Sequence, residues 1–261
     1  MPDQQQAEWD ETYNYQRNSL PRLVVEGDSW FAYPVWRSMI DFVGAANRYA
    51  LCRRGASGRT LEEIVRDGEY LAAVRHENAT LVLISGSGND FVNDHFVTGA
   101  DGQGALFERY EAGMSADQLI SAAKWERKLN ELAGGFEQMI GLLDGVPVVT
   151  HGYDYIVPNG VPARYDGITV GGPWIQPTMI AHGITSAALQ VQMTVLMIDS
   201  VNDMMAGVQN AHPGRFVHVD LRGTLEPEQW ANEIHPYEDG FRELGVRFLE
   251  AVDVAFAQAT S

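Results

Sequence analysis

The feature that most constrains this chain is an alternation. Short apolar runs recur along it, and stretches of helical periodicity fill the gaps. Four runs have the length and residue types of buried strands: Leu23-Val24-Val25, Leu81-Val82-Leu83-Ile84, Val146-Pro147-Val148-Val149 and Phe216-Val217-His218-Val219. Each is apolar or β-branched, and each is followed by Gly, Ser, Asp or His. A weaker fifth runs from Arg48 to Leu51. Between them lie helical stripes with i, i+3, i+4, i+7 spacing: Trp36, Met39, Ile40 and Val43; then Leu129, Leu132, Phe136, Ile140 and Leu143. A longer stripe comprises Leu189, Met193, Leu196, Met197, Val201, Met204 and Met205, and the last comprises Phe241, Leu244, Phe248 and Val252. The methionines of the long stripe read as core filling. Parallel strands need long crossovers, and helices supply them while covering both sheet faces. The expected architecture is α/β: a three-layer α/β/α sandwich around a five-stranded parallel sheet.

No repeat, low-complexity tract or linker divides the chain. Residues 1–20 are polar and read as a loose arm, and residues 21–261 read as a single domain, a size at which one core is common. The N-terminal stretch has no apolar segment, and no run approaches the ~20 apolar residues that span a bilayer. These features predict a cytoplasmic protein without integral membrane association. The net charge of −17, from 35 acidic and 18 basic residues, repels phosphate backbones and argues against nucleic acid as a partner. The single cysteine, Cys52, excludes an intrachain disulfide and reads as a small buried apolar residue. No His-x-His or His-Glu-x-x-His spacing points to a metal.

In parallel α/β sheets, ligands bind at the carboxyl ends of the strands. Those ends carry polar clusters. Glu26-Gly27-Asp28-Ser29-Trp30 follows the first strand, and Gly55-Ala56-Ser57-Gly58-Arg59-Thr60 follows the weak one. Ser85-Gly86-Ser87-Gly88-Asn89-Asp90 and His151-Gly152-Tyr153-Asp154-Tyr155 follow the next two, and Trp230-Ala231-Asn232-Glu233-Ile234-His235-Pro236 lies downstream of the last. Singly, each reads as a turn or a helix cap.

In this order, the clusters together resemble the four blocks of the SGNH, or GDSL, hydrolases, and the resemblance spans about residues 21 to 250. It implies a flavodoxin-like winding and a serine esterase or acylhydrolase without a cofactor, acting on a small-molecule ester. By resemblance, Ser29 is the nucleophile and His235 its base; the backbone N–H groups of Ser29 and Gly58 and the side-chain amide of Asn89 form the oxyanion hole. The roles suit acyl transfer, because a serine hydroxyl needs a base and the tetrahedral intermediate needs pre-aimed donors. No Gly-x-Ser-x-Gly elbow surrounds Ser29.

The sequence departs from the family pattern twice. Ser87 stands where a Gly is usual, with the donor Asn89 retained. Asn232 stands where the family has an Asp three residues before the His. An amide can accept a hydrogen bond from the imidazole but cannot offset its charge, and in serine proteases the same swap costs about 10⁴ in rate. Three outcomes stay open: the Asn232 amide or a backbone carbonyl orients His235, a carboxylate from elsewhere such as Glu233 reaches it, or catalysis is weak; Glu233 also reads as a solvated surface charge. A catalytically weak binding module is the alternative from another class, and acyl transfer to an alcohol is a further one. Asp28 and Asp90 read as loop-holding carboxylates. Trp30, His151, Tyr153 and Trp174 are candidate pocket residues, with Phe31, Tyr33 and Tyr155 completing a possible aromatic wall. The segments Phe91–Leu119 and Tyr153–Met179 have the length of functional lids.

Overall fold

A computed structural model describes residues 13–92 and 106–261. Strands β1 (Arg22–Gly27), β2 (Ala50–Arg53), β3 (Leu81–Ser85), β4 (Val148–His151) and β7 (Phe216–Val219) form one sheet in the order β2-β1-β3-β4-β7. Every pairing in it is parallel. This is the flavodoxin-like strand order, with the switch point between β1 and β3.

The strand period of two sorts the core into two layers. Leu23 and Val25 of β1, with Leu81, Leu83 and Val149, face α1 (Met39–Ala45) and α8 (Glu238–Ala259). Met39, Ile40 and Val43 meet Phe241, Leu244, Phe248 and Val252 there. Val24, Val82, Ile84 and Val148 face the other way. That side is covered by α2 (Leu61–Asp67), α3 (Glu69–Glu77), α5 (Ala122–Leu142) and α7 (Ala187–Ala211). The predicted three-layer sandwich is the one observed. Cys52 is buried and unpaired.

Several boundaries differ from the sequence reading. The weak strand begins two residues later, with Ala50 paired in register with Arg22. The fourth begins at Val148, because Pro147 has no N–H to give a ladder and contributes only its carbonyl, to Val82. Trp36 precedes α1 and stacks on Tyr237. Leu196 points outward at 40% exposure, off the buried stripe of α7. From the arm, Tyr13 packs against the core and Arg17 pairs with buried Glu77 at 3.4 Å.

The two long segments carry structure of their own. Tyr153–Met179 contains an antiparallel hairpin, β5 (Ala163–Tyr165) and β6 (Ile168–Gly171), and then the start of α6 (Gln176–Ala181). Phe91–Leu119 begins in α4 (Gly88–Val92); its residues 93–105, His95 among them, lie outside the described residues. Among the described residues, no helix is long and apolar enough to cross a membrane.

Candidate active site

The five polar clusters converge at the carboxyl edge of the sheet. β1 ends at Gly27, and the chain turns at once: the N–H groups of Phe31 and Ala32 bond to the Asp28 carbonyl at 3.1 and 2.9 Å. This places Ser29 at the strand end, nearly buried. Its hydroxyl lies 2.7 Å from His235 Nε2, across 206 residues of chain. His235 comes from a tight turn in which the N–H groups of Ala231 and Asn232 bond back to its carbonyl at 3.0 and 3.3 Å.

Asn232 folds over that turn. Its Oδ1 accepts the backbone N–H of Ile234 at 3.1 Å and of His235 at 2.9 Å, and lies 3.1 Å from His235 Nδ1. Two backbone donors fix which end of the amide is oxygen, so Nδ1 must carry its proton and Nε2 is left to accept from Ser29. On the far side, Asn232 Nδ2 donates to the Tyr33 hydroxyl at 3.3 Å. The Tyr33 ring lies on the imidazole, with centroids 4.4 Å apart, and the Trp174 ring stands across it, with centroids 5.5 Å apart. Burial lowers the pKa of His235 to about 3.

Asn89 sits at the start of α4, where Nδ2 donates one proton to the Arg59 carbonyl at 2.9 Å. That bond ties it to the loop bearing Gly58. Gly58 has φ of 86°, a left-handed conformation that explains the glycine; a Cβ there would meet nothing within 4 Å. Gly88 is needed for the opposite reason, since a Cβ would come within 2.9 Å of the Tyr153 ring. Ser87 has φ of 99°, and its buried hydroxyl has no partner among the described residues. Asp90 takes the first N–H groups of α2, from Leu61 at 2.7 Å and Glu62 at 3.3 Å. Burial nonetheless raises its pKa to about 6. Asp28 likewise holds its loop, accepting the Trp30 N–H at 2.9 Å.

Glu233 is neither a solvated charge nor the partner of His235. It is fully buried, and its carboxylate gathers backbone N–H groups of the segment that overhangs the site: Gly160 at 3.2 Å, Ile175 at 2.7 Å, Gln176 at 2.8 Å, and Trp174. The negative charge thus also sits at the N-terminus of α6. Asp154 makes a similar cradle for the N–H groups of Gly223, Thr224 and Leu225, at 2.6, 3.0 and 2.7 Å.

Beside Ser29 and Asn89 opens a narrow apolar cavity. Trp30 and Tyr153 line it as expected; Phe91, Trp125, Ile175, Met197 and Val201 form much of the rest. His151 does not line it. Its ring stacks beneath Trp30 at 5.3 Å and faces the α1–α8 layer with Phe31 and Phe248. Trp174 stands at His235 and also lies outside the cavity lining, while Tyr155 bonds to Asp199 at 2.9 Å. The sequence reading missed Tyr33 as an imidazole partner, the two carboxylate cradles, and the cavity face of α7. An apolar stripe gives no sign of whether it meets another helix or a void. Among the described residues, no three His, Cys, Asp or Glu side chains gather to hold a metal.

No family model matches this sequence, and no curated protein matches it. Solved structures do match the fold. An extracellular lipase from Streptomyces rimosus aligns over 90% of this chain and 99% of its own, with a TM-score of 0.52 and 14% identity. A carbohydrate esterase family 3 enzyme from Talaromyces cellulolyticus aligns over 91% and 99%, with a TM-score of 0.50 and 12% identity. The chain has the α/β fold of these hydrolases, the fold that the SGNH resemblance implied.

Proposed function

We propose that the chain is a serine esterase of the SGNH family, with Ser29 as nucleophile, His235 as base and Asn232 as the group that orients it. The observation that carries this reading is the 2.7 Å contact between the Ser29 hydroxyl and His235 Nε2, on a ring whose other nitrogen is fixed by Asn232 Oδ1. Ser29 Oγ attacks the ester carbonyl as its proton passes to Nε2. The backbone N–H groups of Ser29 and Gly58 and the Asn89 amide receive the oxyanion. The bond to the alcohol oxygen breaks, and His235 returns the proton to that oxygen. Water then attacks the acyl-enzyme, giving its proton to His235; the bond to Ser29 Oγ breaks, His235 returns that proton to Oγ, and the carboxylic acid leaves.

The apolar cavity at the nucleophile suits the acyl half of a substrate with an aliphatic chain. Each methylene buried there contributes ~0.8 kcal/mol, or about fourfold in kcat/KM. The test is hydrolysis of p-nitrophenyl acetate, butyrate, hexanoate and octanoate by the wild type and Ser29→Ala. The expected result is a rise with chain length until the cavity is full, and a loss of about 10³-fold or more in the variant. Equal rates in both proteins would remove Ser29 from the reaction.

A further inference from the structure

Beneath the nucleophile turn lies a second array of hydrogen-bonding side chains that the acyl-transfer scheme does not use. Asp28, Ser85 and His151 stand at the ends of β1, β3 and β4, exposed by 2%, 0% and 0%. Asp28 Oδ1 and Ser85 Oγ are 2.6 Å apart, Ser85 Oγ and His151 Nε2 are 2.9 Å apart, and His151 Nδ1 lies 3.0 Å from the Gly152 carbonyl. Asp28 also accepts the Trp30 N–H on Oδ1 at 2.9 Å and the Tyr153 hydroxyl on Oδ2 at 2.9 Å. That hydroxyl also accepts the Gly88 N–H at 2.9 Å while donating its own proton to Asp28.

The protons can be counted along this chain. A carbonyl oxygen only accepts, so Nδ1 must carry a proton. If the ring is neutral, Nε2 then accepts, and the Ser85 proton goes to it. The contact between Ser85 and Asp28 is left needing a proton from Asp28. If Ser85 instead donates to Asp28, Nε2 must be protonated as well. Three contacts need three protons, whereas a carboxylate, a hydroxyl and a neutral imidazole supply two. The missing proton would leave two lone pairs face to face in a buried site, with the cost of an unmade buried hydrogen bond.

We infer that Asp28, Ser85 and His151 together hold one proton more than an ionised aspartate and a neutral histidine would, so that the array under Ser29 carries no net charge at neutral pH. Burial selects the form in which the proton rests on Asp28: it raises the Asp28 pKa and lowers that of His151 to about 4. The surroundings agree. Trp30, Phe31, Tyr153 and Phe248 enclose the His151 ring. The other titratable groups facing the array are Tyr153, with Asp90 beyond it, and His218, whose pKa burial lowers to about 4.

The count has a consequence for the proposed reaction, and that part rests on the esterase reading. The oxyanion forms at Ser29, next to Asp28 in the chain, and an ionised Asp28 would set a like charge against it. Asp28, Ser85 and His151 are therefore positioning residues that keep this turn fixed and neutral. Replacing His151 with Phe suits the aromatic wall around the ring but ends the need for the extra proton, since Ser85 alone satisfies Asp28. Asp28 then ionises, and kcat falls by about tenfold or more with KM little changed.

The direct test does not depend on activity. Imidazole ¹⁵N shifts of His151 in the wild type, with the protonated-carboxyl infrared band assigned by its loss in Asp28→Asn, report where the protons lie at neutral pH. The expected result is a neutral ring protonated at Nδ1 beside a protonated Asp28, or a doubly protonated ring beside an ionised one. A ring unprotonated at Nδ1, or a neutral Nδ1–H ring beside an ionised Asp28, overturns the inference. If the proton count holds and His151→Phe folds with unchanged kcat, the link to the rate fails while the array stands. An esterase inactive in every form would sink the functional reading and leave the count intact.

Discussion

At Asn232 the geometry separates two roles that an aspartate would combine. The amide oxygen, held by the N–H groups of Ile234 and His235, fixes the imidazole tautomer as a carboxylate would. It offers no charge to the imidazolium, and burial has already lowered the His235 pKa to about 3. A base that stays neutral at low pH is competent at low pH, so kcat/KM of the wild type should hold its value well below pH 6.5, the ordinary histidine pKa. Asn232→Asp places a carboxylate against Nδ1, favours the cation and should move the acid limb up by about 1 to 3 pH units. A limb that stays put in a pH–rate profile would show that Asn232 does not set the base. Ser87 offers a second test. Its left-handed backbone and unpartnered hydroxyl cost more than the entropy a glycine adds to the unfolded chain. Ser87→Gly should therefore raise stability by about 1 kcal/mol, read by denaturant titration, and a lower midpoint would contradict it. That Ser29 would meet His235, and Asn89 the loop of Gly58, was legible because each lies in a polar cluster near a strand end and the clusters together resemble the SGNH blocks. The partnership of Tyr33 with His235 was not, because nothing in a Tyr four residues after Ser29 distinguishes a packing ring from one laid on an imidazole.

At the scale of elements, Glu233 decides how the overhanging segment is held. One carboxylate gathers N–H groups from Gly160, Trp174, Ile175 and Gln176 and so ties the loop before the hairpin to the first turn of α6. Ile175, in that cluster, lines the cavity. Glu233→Gln turns one acceptor oxygen into a donor facing donors, and should lower stability by about 2 to 3 kcal/mol and raise KM. It leaves the acid limb of the rate profile in place, because the contact at Nδ1 belongs to Asn232. A shifted limb with normal thermal stability would return Glu233 to the catalytic machinery. Sequence periodicity located the main helices and strands but not their ends, since register sets those: Pro147 stops the ladder that its apolar neighbours suggested, and Arg22 pairs with Ala50. The β5–β6 hairpin was invisible to a search for buried runs because its Tyr165, Ile168 and Val170 are exposed.

For the whole molecule, the alternation of strand and helix was enough to give the layers and the parallel sheet. The net charge of −17 acts on that architecture from outside. Like charges destabilise a compact state, and raising salt from about 10 mM to about 150 mM shortens their reach from ~30 to ~8 Å. The melting temperature should rise over that range; a flat or falling one would show that ion pairs such as Arg53–Asp41 and Arg59–Glu26 outweigh the repulsion. The proposed reaction stands on an activated serine. Treating the wild type with a fluorophosphonate and locating the adduct by peptide mass spectrometry probes that serine. One stoichiometric adduct is expected on Ser29, abolished in His235→Ala. Absence of labelling, or labelling at another serine with Ser29 unmodified, would contradict it.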